Sequence, residues 1–126
     1  MVQGWLEKLC AELSITLVPK LNANNLFLFR FAPEVEIAIS DLNPGIGLQA
    51  NLYACPKERK EECFTYVMRA NLLGQGTGNS RIGLSIDEKS LTLSLGLPYE
   101  LDYPVFKETI EDFVNNFLII IRLRGW

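Results

Sequence analysis

Apolar residues recur every three or four positions in three parts of the chain, a spacing that places them on one face of a helix. The first part is residues 2–15, the second is residues 57–73, and the third begins near Asp102 and Pro104. Charged side chains occupy the positions between, and Pro56 and Asp102 are residues that favour helix starts. The pattern therefore predicts three helices, the last with Phe106, Ile110, Phe113 and Phe117 along its apolar face.

Elsewhere apolar and polar residues alternate, which is typical of a strand with one buried face. An aromatic-rich run, residues 26–31, comes first, and alternation follows in residues 35–40, 48–52, 82–86 and 91–95. Turn-forming residues such as Asn43-Pro44-Gly45 separate these runs. The predicted fold is α+β, an antiparallel β-sheet packed with three helices in the order α-β-β-β-α-β-β-α.

The aromatic-rich run is apolar on both faces. Leu26 and Leu28 point to one side of the strand, and Phe27, Phe29 and Phe31 point to the other. Such a strand is either covered on both sides by helices or carries an exposed patch that awaits a partner. The pattern alone does not decide between the two.

Composition and charge narrow the class of protein. The chain has 126 residues, 48% of them hydrophobic, which suits a single domain over residues 1–126. Its net charge is −3 and it contains no run of Lys and Arg, so nucleic acid is not an expected partner. It lacks the ~20 consecutive apolar residues of a membrane helix, so no membrane insertion is expected. Cys10, Cys55 and Cys63 form no CxxC pair, which favours a reducing cytoplasm and indicates neither disulfides nor zinc.

Candidate catalytic chemistry is sparse. The chain contains no histidine, which removes the usual general base and the commonest metal ligand. The carboxylate pairs Glu61-Glu62 and Glu111-Asp112 lie on predicted helices opposite apolar faces, where charges normally meet solvent. We therefore expect no enzymatic activity and no cofactor or metal.

The second half of the chain carries a combination of short apolar motifs. They are Asn71-Leu72-Leu73, Ile82-Gly83-Leu84-Ser85-Ile86-Asp87, Leu91-Thr92-Leu93-Ser94, Leu97-Pro98, Leu101-Asp102 and the apolar face from Phe106 to Phe117. In this combination and element order the chain resembles the Tir-chaperone (CesT-like) family of class I type III secretion chaperones. The resemblance implies a cytoplasmic bacterial protein that holds the N-terminal segment of a secreted effector, its client, in extended, export-competent form. It also implies a dimer, either with itself or with a related chaperone.

Two other classes remain open at this point. One is a non-enzymatic adaptor or regulatory subunit of a secretion complex, which shares the fold and serves a structural partner. The other is an enzyme that works through carboxylates, which the absence of histidine disfavours.

The second predicted helix suggests a dimer interface. Its apolar residues form two stripes, one with Phe64, Val67 and Met68 and the other with Tyr66, Ala70 and Leu73. One sheet covers only one stripe, so we expect a second chain to cover the other. Val67→Asp or Leu73→Asp should then produce monomers.

The first helix and first strand suggest a client-binding surface, formed by Trp5, Leu6, Leu9, Leu13, Phe27 and Phe29. These residues supply more apolar surface than one small domain needs in its interior. The family resemblance also implies that clients bind at the first helix and the adjacent sheet surface. On this hypothesis Leu9→Ala and Phe29→Ala weaken client binding and leave the melting temperature unchanged.

Overall fold

The computed structural model of the protein describes residues 2–33, 35–54, 58, 61–63, 65, 68–69, 80–84 and 90–122. Two helices have defined bounds, α1 (Val2–Glu12) and α2 (Tyr103–Arg122). Residues 61–63, 65, 68 and 69 are also helical, within the stretch where the second helix is predicted. Five strands complete the described fold: β1 (Phe27–Ala32), β2 (Val35–Asp41), β3 (Ile46–Ala54), β4 (Arg81–Leu84) and β5 (Ser90–Leu97).

The strands form one antiparallel sheet in the order β1-β2-β3-β5-β4. In the β1–β2 hairpin Phe27 pairs with Ile39, Phe29 with Ile37 and Arg30 with Glu36. The register shifts at a β-bulge between Arg30 and Ala32. The predicted α+β fold with an antiparallel sheet is confirmed.

The chain divides into two compact units, one made of Met1–Leu48 with Gly96–Glu111 and the other of Gln49–Leu95 with Asp112–Trp126. The core of the first unit includes Leu6, Leu9, Phe29, Val35, Ile37, Ile39, Ile46, Phe106 and Ile110. The core of the second includes Ala50, Leu52, Cys63, Ile82, Leu91, Leu93, Phe113, Phe117 and Ile120. These buried side chains include the alternating apolar residues predicted for β2 and β3. They also include the residues predicted for the apolar face of α2.

Local capping interactions set the ends of both helices. The Asp102 carboxylate accepts a hydrogen bond from the Val105 backbone N–H (3.0 Å), so Asp102 is the N-cap of α2. Beyond α1, the Ile15 N–H donates to the Cys10 carbonyl (2.8 Å) and Ser14 has a φ of 58°. This arrangement is a Schellman motif with Ser14 in the left-handed region.

Candidate functional site

The first unit carries exposed leucines between α1 and the middle of β1. Leu13, Leu17, Leu21 and Leu28 are all exposed, whereas the apolar core residues of this unit are buried. Leu17 is 86% exposed and Leu28 is 45% exposed. Water-facing leucines so close together in sequence are a candidate surface for an apolar partner.

A groove of about 530 Å³ includes two of these leucines. Its lining consists of residues 14–19, which include Leu17, together with Leu28, Phe29 and Arg30 of β1 and Glu36 of β2. We call it the edge groove, because β1 is the terminal strand of the sheet. Its volume lies within the range of protein sites that bind small ligands or a few residues of a peptide.

Both ends of the segment that lines the edge groove are held by backbone geometry. The Schellman motif at Ser14 turns the chain out of α1. Farther along, the Asn22 side-chain oxygen accepts hydrogen bonds from the backbone N–H groups of Asn24 (2.9 Å) and Leu26 (3.0 Å). Leu21 forms an isolated antiparallel bridge with Phe27, which ties the segment to the start of β1.

One ion pair contributes to the edge groove. The Arg30 guanidinium contacts the Glu36 carboxylate at 2.9 Å and also donates to the Pro33 carbonyl at 3.0 Å. Both side chains are largely exposed, so the pair contributes less than about 1 kcal/mol to stability. Its relevance to function is that it places a positive and a negative charge beside an apolar groove.

All six residues predicted to bind the client lie in the first unit, but most of them are interior. Leu6, Leu9, Phe27 and Phe29 are buried, and Leu9 is 0% exposed. Trp5 is half-buried and packs against Phe106, with 5.0 Å between ring centroids. Leu13 alone among the six is exposed.

This burial changes the expected behaviour of two variants. Leu9 and Phe29 are core residues of this chain, so replacing either with alanine should lower the melting temperature, contrary to the expectation from sequence. An apolar stripe on a helix has the same spacing whether it packs against a core or against a client, so the spacing alone does not decide between these roles. The exposed Leu17 was missed because it lies in a stretch without periodicity. Leu28 belongs to the two-sided apolar pattern of β1, for which the sequence left open a covered strand or an exposed patch, and its side chain is exposed.

An ion pair links α1 to the start of α2. The Glu12 carboxylate accepts a hydrogen bond from the Lys107 ammonium at 2.7 Å, and Lys8 lies 4.4 Å from the centre of the Tyr103 ring. The hydrogen bond from Lys107 lowers the pKa of Glu12 and raises that of Lys107. This pair fixes the end of α1 from which the groove-lining segment departs.

Side chains with catalytic or metal-binding potential lie on α1, on α2 and in the helical residues 61–63. Within the described residues no group of three or more acidic, Cys or His side chains is arranged to hold a metal ion. Burial raises the pKa of the Cys10 thiol, which makes it a weaker nucleophile; Cys55 lies outside the described residues. Glu61, Glu62, Glu111 and Asp112 face solvent, as predicted. No helix in the described part is long and apolar enough to cross a membrane.

The predicted dimer interface lies mostly outside the described residues. Phe64, Tyr66, Val67, Ala70 and Leu73 belong to that part of the chain. The structure does describe Met68, which has a helical backbone conformation and is 71% exposed. The interface therefore stays a prediction.

Comparison with known proteins places the chain in a family. Its sequence matches the Tir chaperone protein (CesT) family over residues 5–118. No match was found among curated protein sequences.

Three solved structures illustrate the fold. A chain of the ExsC–ExsE complex is 13% identical, with a TM-score of 0.75 over 97% of this chain and 92% of that one. A chain of the heterodimeric ExoU–SpcU complex of the Pseudomonas aeruginosa type III secretion system is 13% identical, with a TM-score of 0.67 over 98% and 97%. A chain of the HopA1–SchA chaperone–effector complex is 12% identical, with a TM-score of 0.69 over 93% and 90%. With a family match over most of its length and a shared fold, this chain belongs to the Tir chaperone protein (CesT) family.

Proposed function

We propose that this protein is a type III secretion chaperone that binds the N-terminal segment of a secreted effector in extended form and keeps it export-competent. Membership of the CesT family supports this, as do structural neighbours that come from chaperone–effector complexes. The observation that carries the proposal is the edge groove, where exposed leucines lie beside the terminal strand of the sheet.

The edge groove suits an extended polypeptide for two physical reasons. A terminal strand has backbone N–H and C=O groups that an incoming strand can pair with, which gives affinity independent of sequence. Leu17 and Leu28 then supply apolar contacts for alternate side chains of the client. An unfolded segment held in this way cannot fold or aggregate until it is released.

The six residues predicted from sequence take two roles in this proposal. Leu13 and the accessible part of Trp5 do not line the edge groove, and in this proposal they contact parts of the client that extend beyond it. The buried residues Leu6, Leu9 and Phe27 instead support the groove from inside and act on binding through the fold, whereas Phe29 is buried and also lines the groove.

The functional protein is proposed to be a cytoplasmic dimer without enzymatic activity. Holding an unfolded segment requires complementary surface and no bond making. The second helix, with Phe64, Tyr66, Val67, Met68, Ala70 and Leu73, forms the dimer contact with an identical or related chaperone. The high exposure of Met68 in the single chain supports this assignment.

The test begins with the client. The protein is purified with its bound partner from the bacterium that encodes it, the partner is identified by mass spectrometry, and the partner's N-terminal segment is synthesised with a fluorescent label. Fluorescence anisotropy then measures the Kd of this segment for each variant of the chaperone.

Leu17→Ala and Leu28→Ala should each weaken binding by about 5- to 30-fold, because each removes ~1–2 kcal/mol of apolar contact at the interface. Leu42→Ala is the matched control, since Leu42 has the same 45% exposure as Leu28 and does not line the edge groove. All three variants should keep the melting temperature of the unaltered protein. An unchanged Kd for the Leu17→Ala, Leu28→Ala double variant would contradict the proposed surface.

A further inference from the structure

The outer edge of β1 is regular over only a short stretch. At its start Phe27 is already bridged by Leu21. At its end the β-bulge between Arg30 and Ala32 disturbs the regular pairing geometry. Between these two features lie Leu28, Phe29 and Arg30, which we call the edge triplet, and all three line the edge groove.

The edge triplet has a defined pattern across the two faces of the sheet. Phe29 is buried, whereas Leu28 and Arg30 are exposed on the opposite face. In a β-sheet, side chains of paired residues lie on the same face, and directly opposite residues contact each other. A strand added to this edge therefore places one side chain beside Leu28, one beside Phe29 and one beside Arg30.

Each of these positions favours a particular kind of client side chain. The neighbour of Leu28 gains most from being apolar, because it buries exposed leucine surface. The neighbour of Phe29 lies on the face of the sheet that carries buried Phe29 and Ile37, where an apolar side chain is also favoured. The neighbour of Arg30 gains from a carboxylate, since opposite charges on adjacent strands attract. Glu36 and the Pro33 carbonyl already accept from the two terminal nitrogens of Arg30, but a guanidinium has five N–H donors and keeps others for a further acceptor.

We propose that the client pairs with β1 in antiparallel orientation through the edge triplet, using the sequence acidic–apolar–apolar. In that orientation the client residue beside Arg30 comes first and the residue beside Leu28 comes last. The acidic residue completes a row of carboxylate, guanidinium and carboxylate across the client, β1 and β2. The inference rests on the proposed function, which identifies the peptide as a segment of the client. It adds the amino-acid sequence that the edge triplet prefers in that segment.

The probe is a synthetic peptide with Glu-Val-Leu between short threonine and serine flanks. Its binding to the full chain is followed by the NMR shifts of the Leu28, Phe29 and Arg30 amides at low salt, where exposed charges are least screened. Replacing Glu by Lys in the probe should raise the Kd by about 5- to 10-fold. The reversed sequence, Leu-Val-Glu, has the same composition and should bind more weakly than Glu-Val-Leu.

The decisive variant exchanges the charges, Arg30→Glu with Glu36→Arg. It keeps a cross-strand ion pair, so the melting temperature should be unchanged, yet it presents a negative charge at the edge. The preference should then invert, with the Lys peptide bound about 5- to 10-fold more tightly than the Glu peptide. A structural role for the ion pair predicts no inversion.

Three outcomes would overturn the inference: equal binding of the Glu and Lys probes, tighter binding of the reversed probe, or a preference that does not invert. Self-association of the unaltered protein that Arg30→Glu abolishes would also overturn it, because the edge would then serve a second copy. If the natural client still binds through Leu17 but the synthetic peptides do not show the expected preferences, the acidic–apolar–apolar preference is wrong and the proposed function stands. If no effector segment binds at all, the proposed function itself fails.

Discussion

Leu9→Ala and Leu17→Ala form a matched pair, because the same side-chain truncation is made at an interior and at an exposed site of the same unit. Leu9 is 0% exposed and Leu17 is 86% exposed. Truncating a fully buried leucine removes its transfer free energy and leaves a cavity, and together these cost about 2–5 kcal/mol. At an exposed leucine the change stays within about 0.5 kcal/mol.

These free energies convert into melting temperatures through the unfolding entropy, which is roughly 2.1 cal/mol/K per residue. For a chain of 126 residues, 1 kcal/mol corresponds to roughly 4 °C. Leu9→Ala should therefore melt about 8–20 °C lower, and Leu17→Ala within about 2 °C of the unaltered protein.

Circular dichroism melts at one fixed protein concentration are the assay, because melting of a dimer depends on concentration. A urea titration supplies the free energy of unfolding independently. A shift of less than about 2 °C for Leu9→Ala would refute its assignment to the core and would restore it as a client-contacting residue.

Three further variants test other features. Gly45→Ala should lower the free energy of unfolding by about 2–4 kcal/mol in a urea titration, because Gly45 has a φ of 95° and an added Cβ would collide with the Leu97 carbonyl; an unchanged midpoint would contradict this. Ser14→Gly should raise the thermal midpoint slightly, since glycine relieves the positive φ of the Schellman motif, and a lower midpoint would argue against strain there. The pKa of Glu12 is lowered by Lys107, so its stabilising effect is complete above pH 4.5 and is lost as pH falls through the lower folded value. The Glu12→Gln variant should therefore lose less stability over that acidic range than the unaltered protein. If the free energy of unfolding changes with pH in the same way in both proteins, the Glu12–Lys107 ion pair does not contribute to stability.

Much of the fold follows from periodicity because the spacing of apolar residues determines which secondary structure places them on one face. The alternation of Val35, Ile37 and Ile39 is satisfied by burial on one face of β2, and the capping ability of Asp102 determines where α2 begins. The order of the strands is different, since β5 lies between β3 and β4 although it follows both in sequence. No local pattern carries that information.

The candidate site was less accessible to sequence reasoning. Apolar residues of α1 such as Leu9 are buried in the core of their own unit. Periodicity cannot distinguish residues that pack in a core from residues that bind a partner. Leu17 lies in an irregular segment between α1 and β1 that is tied to β1 by the isolated Leu21–Phe27 bridge, and such a segment has no apolar period from which exposure could be predicted. The edge groove is formed by separate segments that the tertiary structure brings together, so no periodic pattern in the sequence predicts it.

The contact between α1 and α2 has a consequence for how the chain is made. Glu12 and Lys107 are 95 positions apart, so the first helix leaves the ribosome long before its partner exists. At 5–20 residues per second, this delay lasts roughly 5–20 s. During that interval Trp5 has no Phe106 to pack against, and the nascent protein exposes the kind of apolar surface that invites aggregation. A protein proposed to protect unfolded segments of others thus passes through an aggregation-prone stage during its own synthesis.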